Sequence, residues 1–283
     1  MKGHTDVFLI TGFLGSGKTT FLNRIIQAFP QDRKLMILMN EFGDLGVDGA
    51  LVEGEDLDML EISKGSIFCV CVKTDFIKGL MDIAQNKQPD VLLIEATGVA
   101  NPTDLRKDLQ LSIFKGQFQL KEQFCLIDVV NFEDAYDTFT SVEKQIENAT
   151  VFILNKMDTA DQAALARTRQ IVARHHPNPE FIETTYADIP LEQYLPLGEQ
   201  ASASPVPDIS AEELERFIGG LMSAPGISMM PQDQLVSKTL VWSVKDVVLL
   251  KEMAAKIPPG IARAKGIVQV GRDAYLLNTV MGK

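Results

Sequence analysis

Residues 6–29, "DVFLITGFLGSGKTTFLNRIIQAF", run from an apolar strand pattern through a glycine-rich turn into an amphipathic helix. The turn, Gly12 to Thr20, fits G-x-x-x-x-G-K-[ST] in the context that pattern requires, a strand before it and a helix after it. Gly12, Gly15 and Gly17 let the backbone curl, so that successive N–H groups of the loop point inward at phosphate oxygens. The helix that begins near Lys18 adds its positive N-terminal end. The Lys18 ammonium suits the β and γ phosphates, and the Thr19 hydroxyl suits Mg²⁺. A nucleoside triphosphate is the expected ligand.

Outward from this loop the rhythm repeats. The runs "LMILMN" (35–40), "VLLIE" (91–95), "QFCLID" (123–128), "VFILN" (151–155) and "FIET" (181–184) are nearly all apolar. Such runs are expected of strands covered by helices on both faces. Segments with helical periodicity separate them, "DQAALARTRQIVARHH" among them. The pattern predicts an α/β fold, a doubly wound and mostly parallel sheet over residues 1–197. A Ser-, Ala- and Pro-rich stretch with one short helix, "AEELERFIGGLM", reads as a linker over 198–235. A small α+β unit follows over 236–283, with strand "TLVWSV" (239–244), helix "DVVLLKEMAAKI" (246–257) and strands "GIVQV" and "AYLLN".

Bulk properties narrow the function. A chain of 283 residues, 46% hydrophobic and 23% charged, can bury a full core. Its net charge of −11 argues against nucleic acid as a partner. No apolar run approaches the roughly 20 residues needed to span a bilayer. Three cysteines do not make a disulfide framework, so a reducing cytoplasm is expected.

"FILNKMD" (152–158) ends a strand with Asn155, Lys156 and Asp158, at the edge where a doubly wound sheet binds nucleotides. A carboxylate at Asp158 accepts from the N1–H and amino group of guanine, whereas adenine would leave it unpaired. Such a mismatch can discriminate by roughly 10⁴-fold. Lys156 can lay its stem along the purine, and Asn155 can tie this loop to the phosphate loop. GTP is therefore expected rather than ATP. Two further segments suit a γ-phosphate switch. In "LLIEATG" (92–98), Glu95 can reach Mg²⁺ through water and the Gly98 N–H can approach the γ phosphate; "NEFGDLGVD" (40–48) carries Glu41, Asp44 and Asp48 among glycines.

Taken together, "GFLGSGKTT", "NEFGDLGVD", "IEATGVANP" and "NKMD" resemble the CobW-type metal-handling GTPases, relatives of the hydrogenase and urease nickel-insertion GTPases. The resemblance covers roughly residues 6–195 and includes "HHPNPEFIETT", similar to the turn that closes that family's guanine pocket. "ARAKGIVQV" (262–270) resembles the start of the family's C-terminal domain. The resemblance implies GTP binding, slow Mg²⁺-dependent hydrolysis, and delivery of a transition metal or support of a metal cofactor for a client metalloprotein. Carried over by position, it implies that Gly12, Gly15, Ser16, Gly17, Lys18, Thr19 and Thr20 hold phosphates and Mg²⁺. Glu41 and Asp48 then belong to the first switch and Glu95 and Gly98 to the second, and Asn155, Lys156 and Asp158 read guanine. For hydrolysis the candidate catalytic set is Lys18, Thr19, Glu41 and Glu95.

That family places a C-x-C-C metal motif after a glycine. Here Gly65 is followed by "SIFCVCV", so that Cys69 matches the third cysteine and Cys71 is additional. Were the segment extended, Cys69 and Cys71 would share one face and could pinch one ion at about 2.3 Å. A third ligand would come from Glu41 or from a second copy of the chain, as in a homodimer. Thiolates select softer ions such as Zn²⁺, Cu(I) or Co²⁺ over Mg²⁺. The competing reading makes both cysteines small apolar residues of a buried strand, as Cys125 is expected to be.

Three functions stand open on the sequence. The first is a GTP-fuelled metallochaperone or cofactor-insertion factor. The second is a GTPase switch that services a corrinoid or other metalloenzyme by contact, holding no metal itself. The third, disfavoured by the guanine signature, is a small-molecule kinase.

Overall fold

In the computed structural model, residues 4–41, 58–63, 70–195, 206–224, 233, 246–258, 261–270 and 273–280 are described. Seven strands form one sheet: β1 (Thr5–Thr11), β2 (Leu35–Glu41), β3 (Asp58–Ser63), β4 (Val91–Glu95), β5 (Phe118–Asp128), β6 (Val151–Asn155) and β7 (Glu180–Glu183). Their order is β3-β2-β4-β1-β5-β6-β7, and every pairing is parallel.

Strand alternation divides the core between the two faces. Val7 and Leu9 of β1 join Met36, Leu38, Leu92 and Ile94 in one cluster, while Phe8 and Ile10 join Ile37, Leu93 and Leu126 in another. Helices close both layers. From α1 (Lys18–Ala28), Phe21, Leu22 and Ile25 are buried at helical spacing. From α2 (Val70–Asp82), Phe76, Ile77, Leu80 and Met81 enter the other layer. The helix α3 (Pro102–Leu109) starts where Asn101 accepts from Thr103 N and Pro102 sets the first turn. A third cluster lies under α4 (Phe132–Thr138), α5 (Thr140–Asn148) and α6 (Gln162–His175).

The structure departs from the sequence reading in two places. The strand β3, "DMLEIS", is missing from the six apolar runs. It is a short edge strand in which Asp58, Glu61 and Ser63 break up the apolar residues, so that it does not read as an apolar run. The second departure is α2, which starts at Val70, so Val70 and Cys71 have helical backbone and period-two alternation does not carry through them. Cys69, Asp44, Asp48 and the "TLVWSV" stretch lie outside the described residues.

After a short helix α7 (Leu191–Tyr194), the expected linker helix is α8 (Ala211–Met222), opened by a capping box between Ser210 and Glu213. It is docked on the domain. Ile218 is buried in the first core layer, and Gln85 donates to the carbonyls of Pro207 and Ile209 at 3.1 and 3.0 Å. Last come α9 (Val247–Ala254) and an antiparallel hairpin of β8 (Arg263–Val270) and β9 (Asp273–Val280). The hairpin ends on the phosphate loop, where Val280 is buried in one cluster with Phe13 and Val99. No helix of the described residues is long and apolar enough to cross a membrane.

Candidate nucleotide site

Parallel register brings the informative strand ends to one edge of the sheet. Ile10 lies beside Glu95, Thr11 beside Cys125, and Asp128 beside Asn155. This is the crevice at which an open α/β sheet presents ligand-binding loops.

The loop between β1 and α1 closes on itself. Ser16 N donates to Phe13 O at 3.2 Å, and the buried Lys18 ammonium donates to Gly12 O at 3.0 Å and Phe13 O at 3.4 Å. Gly17 caps α1 with φ 108°, a left-handed geometry suited to glycine. Ser16 Oγ is buried without a hydrogen-bond partner among the described residues, while Thr20 is exposed. Thr19 Oγ1 lies 3.5 Å from Glu95 Oε1, which makes two oxygen ligands of the kind Mg²⁺ takes neighbours across 76 residues of sequence. Gly98 meets the phosphate loop so closely that a β-carbon there would lie 2.6 Å from Leu14 N. Glu41 is the last residue of β2 and pairs with Ser63.

The guanine candidates lie at the end of β6. Asn155 is buried and has two partners: its Nδ2 donates to Ser16 O at 2.8 Å, and its Oδ1 accepts from Ala187 N at 3.0 Å. Lys156 adopts φ 62°, and its ammonium lies 2.7 Å from Asp128 Oδ2. Asp158 is exposed at the rim. The turn after β7 is held by Thr184 Oγ1 donating to Asp188 O at 2.6 Å, and by Arg24 of α1 donating to Tyr186 O at 2.7 Å.

Several residues of this site carried no signal in the sequence. Asp128 takes Lys156 and the Asn131 amide, each at 2.7 Å, and so aims the lysine stem; only its place at the end of a buried run could have marked it. Gln145 of α5 is buried and donates to Gly98 O at 3.0 Å and to Ala100 O at 3.4 Å. Lys73, two residues after Cys71, pairs with the buried Asp108 of α3 at 2.9 Å. Burial pushes the Asp108 carboxyl above its usual range, and the hydrogen bond from Lys73 opposes that shift. Cys125 is core, as expected, and burial pushes its thiol up to about 12.

The family model described as "CobW/HypB/UreG, nucleotide-binding domain" matches residues 6–183. The zinc chaperone CobW of Sinorhizobium sp is 28% identical over 251 residues, covering 77% of this chain and 70% of that protein. Zinc-regulated GTPase metalloprotein activator 1 of Schizosaccharomyces pombe is 34% identical over 189 residues, 64% of this chain and 46% of that protein. The zinc chaperone YeiR of Escherichia coli is 32% identical over 155 residues, 54% of this chain and 47% of that protein. The chain thus spans about half the length of the last two. The crystal structure of the Zn(II)-bound YjiA GTPase from E. coli superposes with a TM-score of 0.51 at 21% identity, over 99% of this chain and 87% of that one, which shows a shared fold. With the matched model covering well over half of its length, this chain belongs to the CobW/HypB/UreG family.

Proposed function

We propose that this protein binds GTP with Mg²⁺, hydrolyses it slowly, and uses the nucleotide state to govern a zinc ion held at Cys69 and Cys71 for a client metalloprotein. The observation that carries the reading is the Asn155 side chain, whose amide bonds both the phosphate loop and the loop after β7. A base seated at Asp158 and a triphosphate seated on Gly12–Thr20 would thereby share one rigid frame. Zinc is the ion chosen because the relatives are named zinc chaperones and a zinc-regulated activator.

Roles follow from the geometry. Loop amides and Lys18 hold the β and γ phosphates. Thr19 and Glu95 would hold Mg²⁺, Glu95 directly or through water, and their oxygen donors fit it. When bound, Mg²⁺ neutralises charge that builds up between the β and γ phosphates. Gly98 donates its N–H to the γ phosphate, and Gln145 holds the carbonyl of the same residue. Hydrolysis removes that acceptor and frees the segment from Glu95 to Asn101. The segment continues into α3, whose Asp108 pairs with Lys73 at the start of α2, directly after the cysteines. A shift of the second switch is thereby felt at Cys71. Glu41, at the end of β2, or a second copy of the chain supplies the third zinc ligand.

The test is a zinc titration of the full chain and of Cys69→Ser/Cys71→Ser, each with and without a non-hydrolysable GTP analogue. The proposal expects the double variant to lose one zinc per chain and the analogue to change wild-type zinc affinity at least about tenfold, a coupling of ordinary size. Unchanged stoichiometry in the variant would overturn it in favour of a switch that acts on a metalloenzyme by contact alone.

A further inference from the structure

We propose a second transition-metal site, formed by Glu143, Glu147 and His175 on α5 and α6. Glu143 and Glu147 are four residues apart on α5, which puts both carboxylates on one face. His175 is the final residue of α6, the neighbouring helix. The three donor atoms all lie within 4.8 Å of one another, and His175 Nδ1 is 3.7 Å from Glu143 Oε1. Ligands about 2.1 Å from a tetrahedral zinc are separated by about 3.4 Å. Small rotations of two glutamate side chains close the remaining gap, and water completes the fourth position.

The histidine is already oriented for this task. Tyr136 of α4 lies with its hydroxyl 2.7 Å from His175 Nε2, so the other ring nitrogen is the one turned toward the carboxylates. A ligating imidazole held through its second nitrogen is the usual arrangement around a metal. The His175 ring is only 17% exposed, so little freedom remains to be lost on binding. One imidazole with two carboxylates selects Zn²⁺, Ni²⁺ or Co²⁺ over Ca²⁺ and Mg²⁺, which take oxygen ligands. The competitor is Lys144, whose ammonium lies 2.7 Å from Glu147 Oε2. That pair is between adjacent turns of one helix at the surface, and a dication displaces it.

The experiment uses the full chain carrying Cys69→Ser and Cys71→Ser, titrated with zinc alone against a chromophoric chelator. One zinc per chain is expected to remain. Adding His175→Ala, or Glu143→Gln with Glu147→Gln, should weaken it at least about tenfold, while far-UV dichroism and GTP affinity stay unchanged. His175→Gln, which keeps the bulk of the ring's position, serves if the alanine variant folds poorly. Cobalt gives a second readout: ligand-field absorption without thiolate charge transfer, lost in the histidine variants. Absence of zinc from the Cys69→Ser/Cys71→Ser chain, or zinc binding indifferent to His175, overturns the site without touching the nucleotide proposal.

Discussion

Asn155 is hydrogen-bonded to the phosphate loop through Ser16, its Nδ2 donating to the Ser16 carbonyl at 2.8 Å in a fully buried setting. The same side chain accepts from Ala187 N. Asn155→Ala strands two buried backbone groups, each worth about 1–3 kcal/mol. Urea unfolding should show a loss of about 2–4 kcal/mol, and GTP affinity should fall with it. A variant as stable as the wild type would mean that the frame between the two loops is not held here.

Gly98→Ala would force a methyl into Leu14 N of the phosphate loop. On the proposed function, the second switch would then withdraw and the Gly98 N–H would no longer reach the γ phosphate. Single-turnover GTP hydrolysis should slow by about 100-fold, the usual effect of losing one preorganised donor. Affinity for GDP should change little. A variant that hydrolyses at the wild-type rate would remove Gly98 from the switch.

Val280 backs the phosphate loop from the far end of the chain; a β-carbon at Gly15 would lie 2.3 Å from its Cγ2. Val280→Ala should cost roughly 1–2 kcal/mol in stability as a cavity opens behind the loop. GTP affinity should drop in the same variant. Val248→Ala, at an exposed position on α9, is the control and should do neither. Equal effects from the two would show that the hairpin does not support the loop.

Burial raises the Cys125 thiol to about 12 from an ordinary 9.0. Because the folded value is the higher, the stability linked to this proton is whole below pH 9 and is lost as pH rises toward 12. Cys125 is buried and its raised thiol pKa keeps it protonated at pH 8, so alkylation of the folded protein should leave it unmodified. Peptide mapping after labelling in urea should find it modified. Rapid labelling in the native state would contradict its place in the core.

The sequence and the structure agree where chemistry is local. The phosphate loop and the buried runs each announce themselves through residue types at fixed spacing. The strand β3 escaped because it lies at the sheet edge, where Asp58, Glu61 and Ser63 interrupt what would otherwise be an apolar run. Helical backbone at Cys71 escaped because valine and cysteine suit a strand as readily as a helix. The partners of the site residues were invisible for another reason. Asp128 beneath Lys156, Gln145 behind Gly98 and Asp108 beneath Lys73 depend on contacts across 28, 47 and 35 positions, which no local pattern encodes.

Guanine selectivity at Asp158 is tested most directly by calorimetric titration with GTP and ATP in Mg²⁺ buffer, repeated on Asp158→Asn. GTP should bind the wild type at least about 1,000-fold tighter than ATP. The variant should lose GTP and accept xanthosine triphosphate, whose C2 oxygen can take the hydrogen bond that an asparagine amide donates. ATP binding the wild type as tightly as GTP would contradict the proposed function at its root.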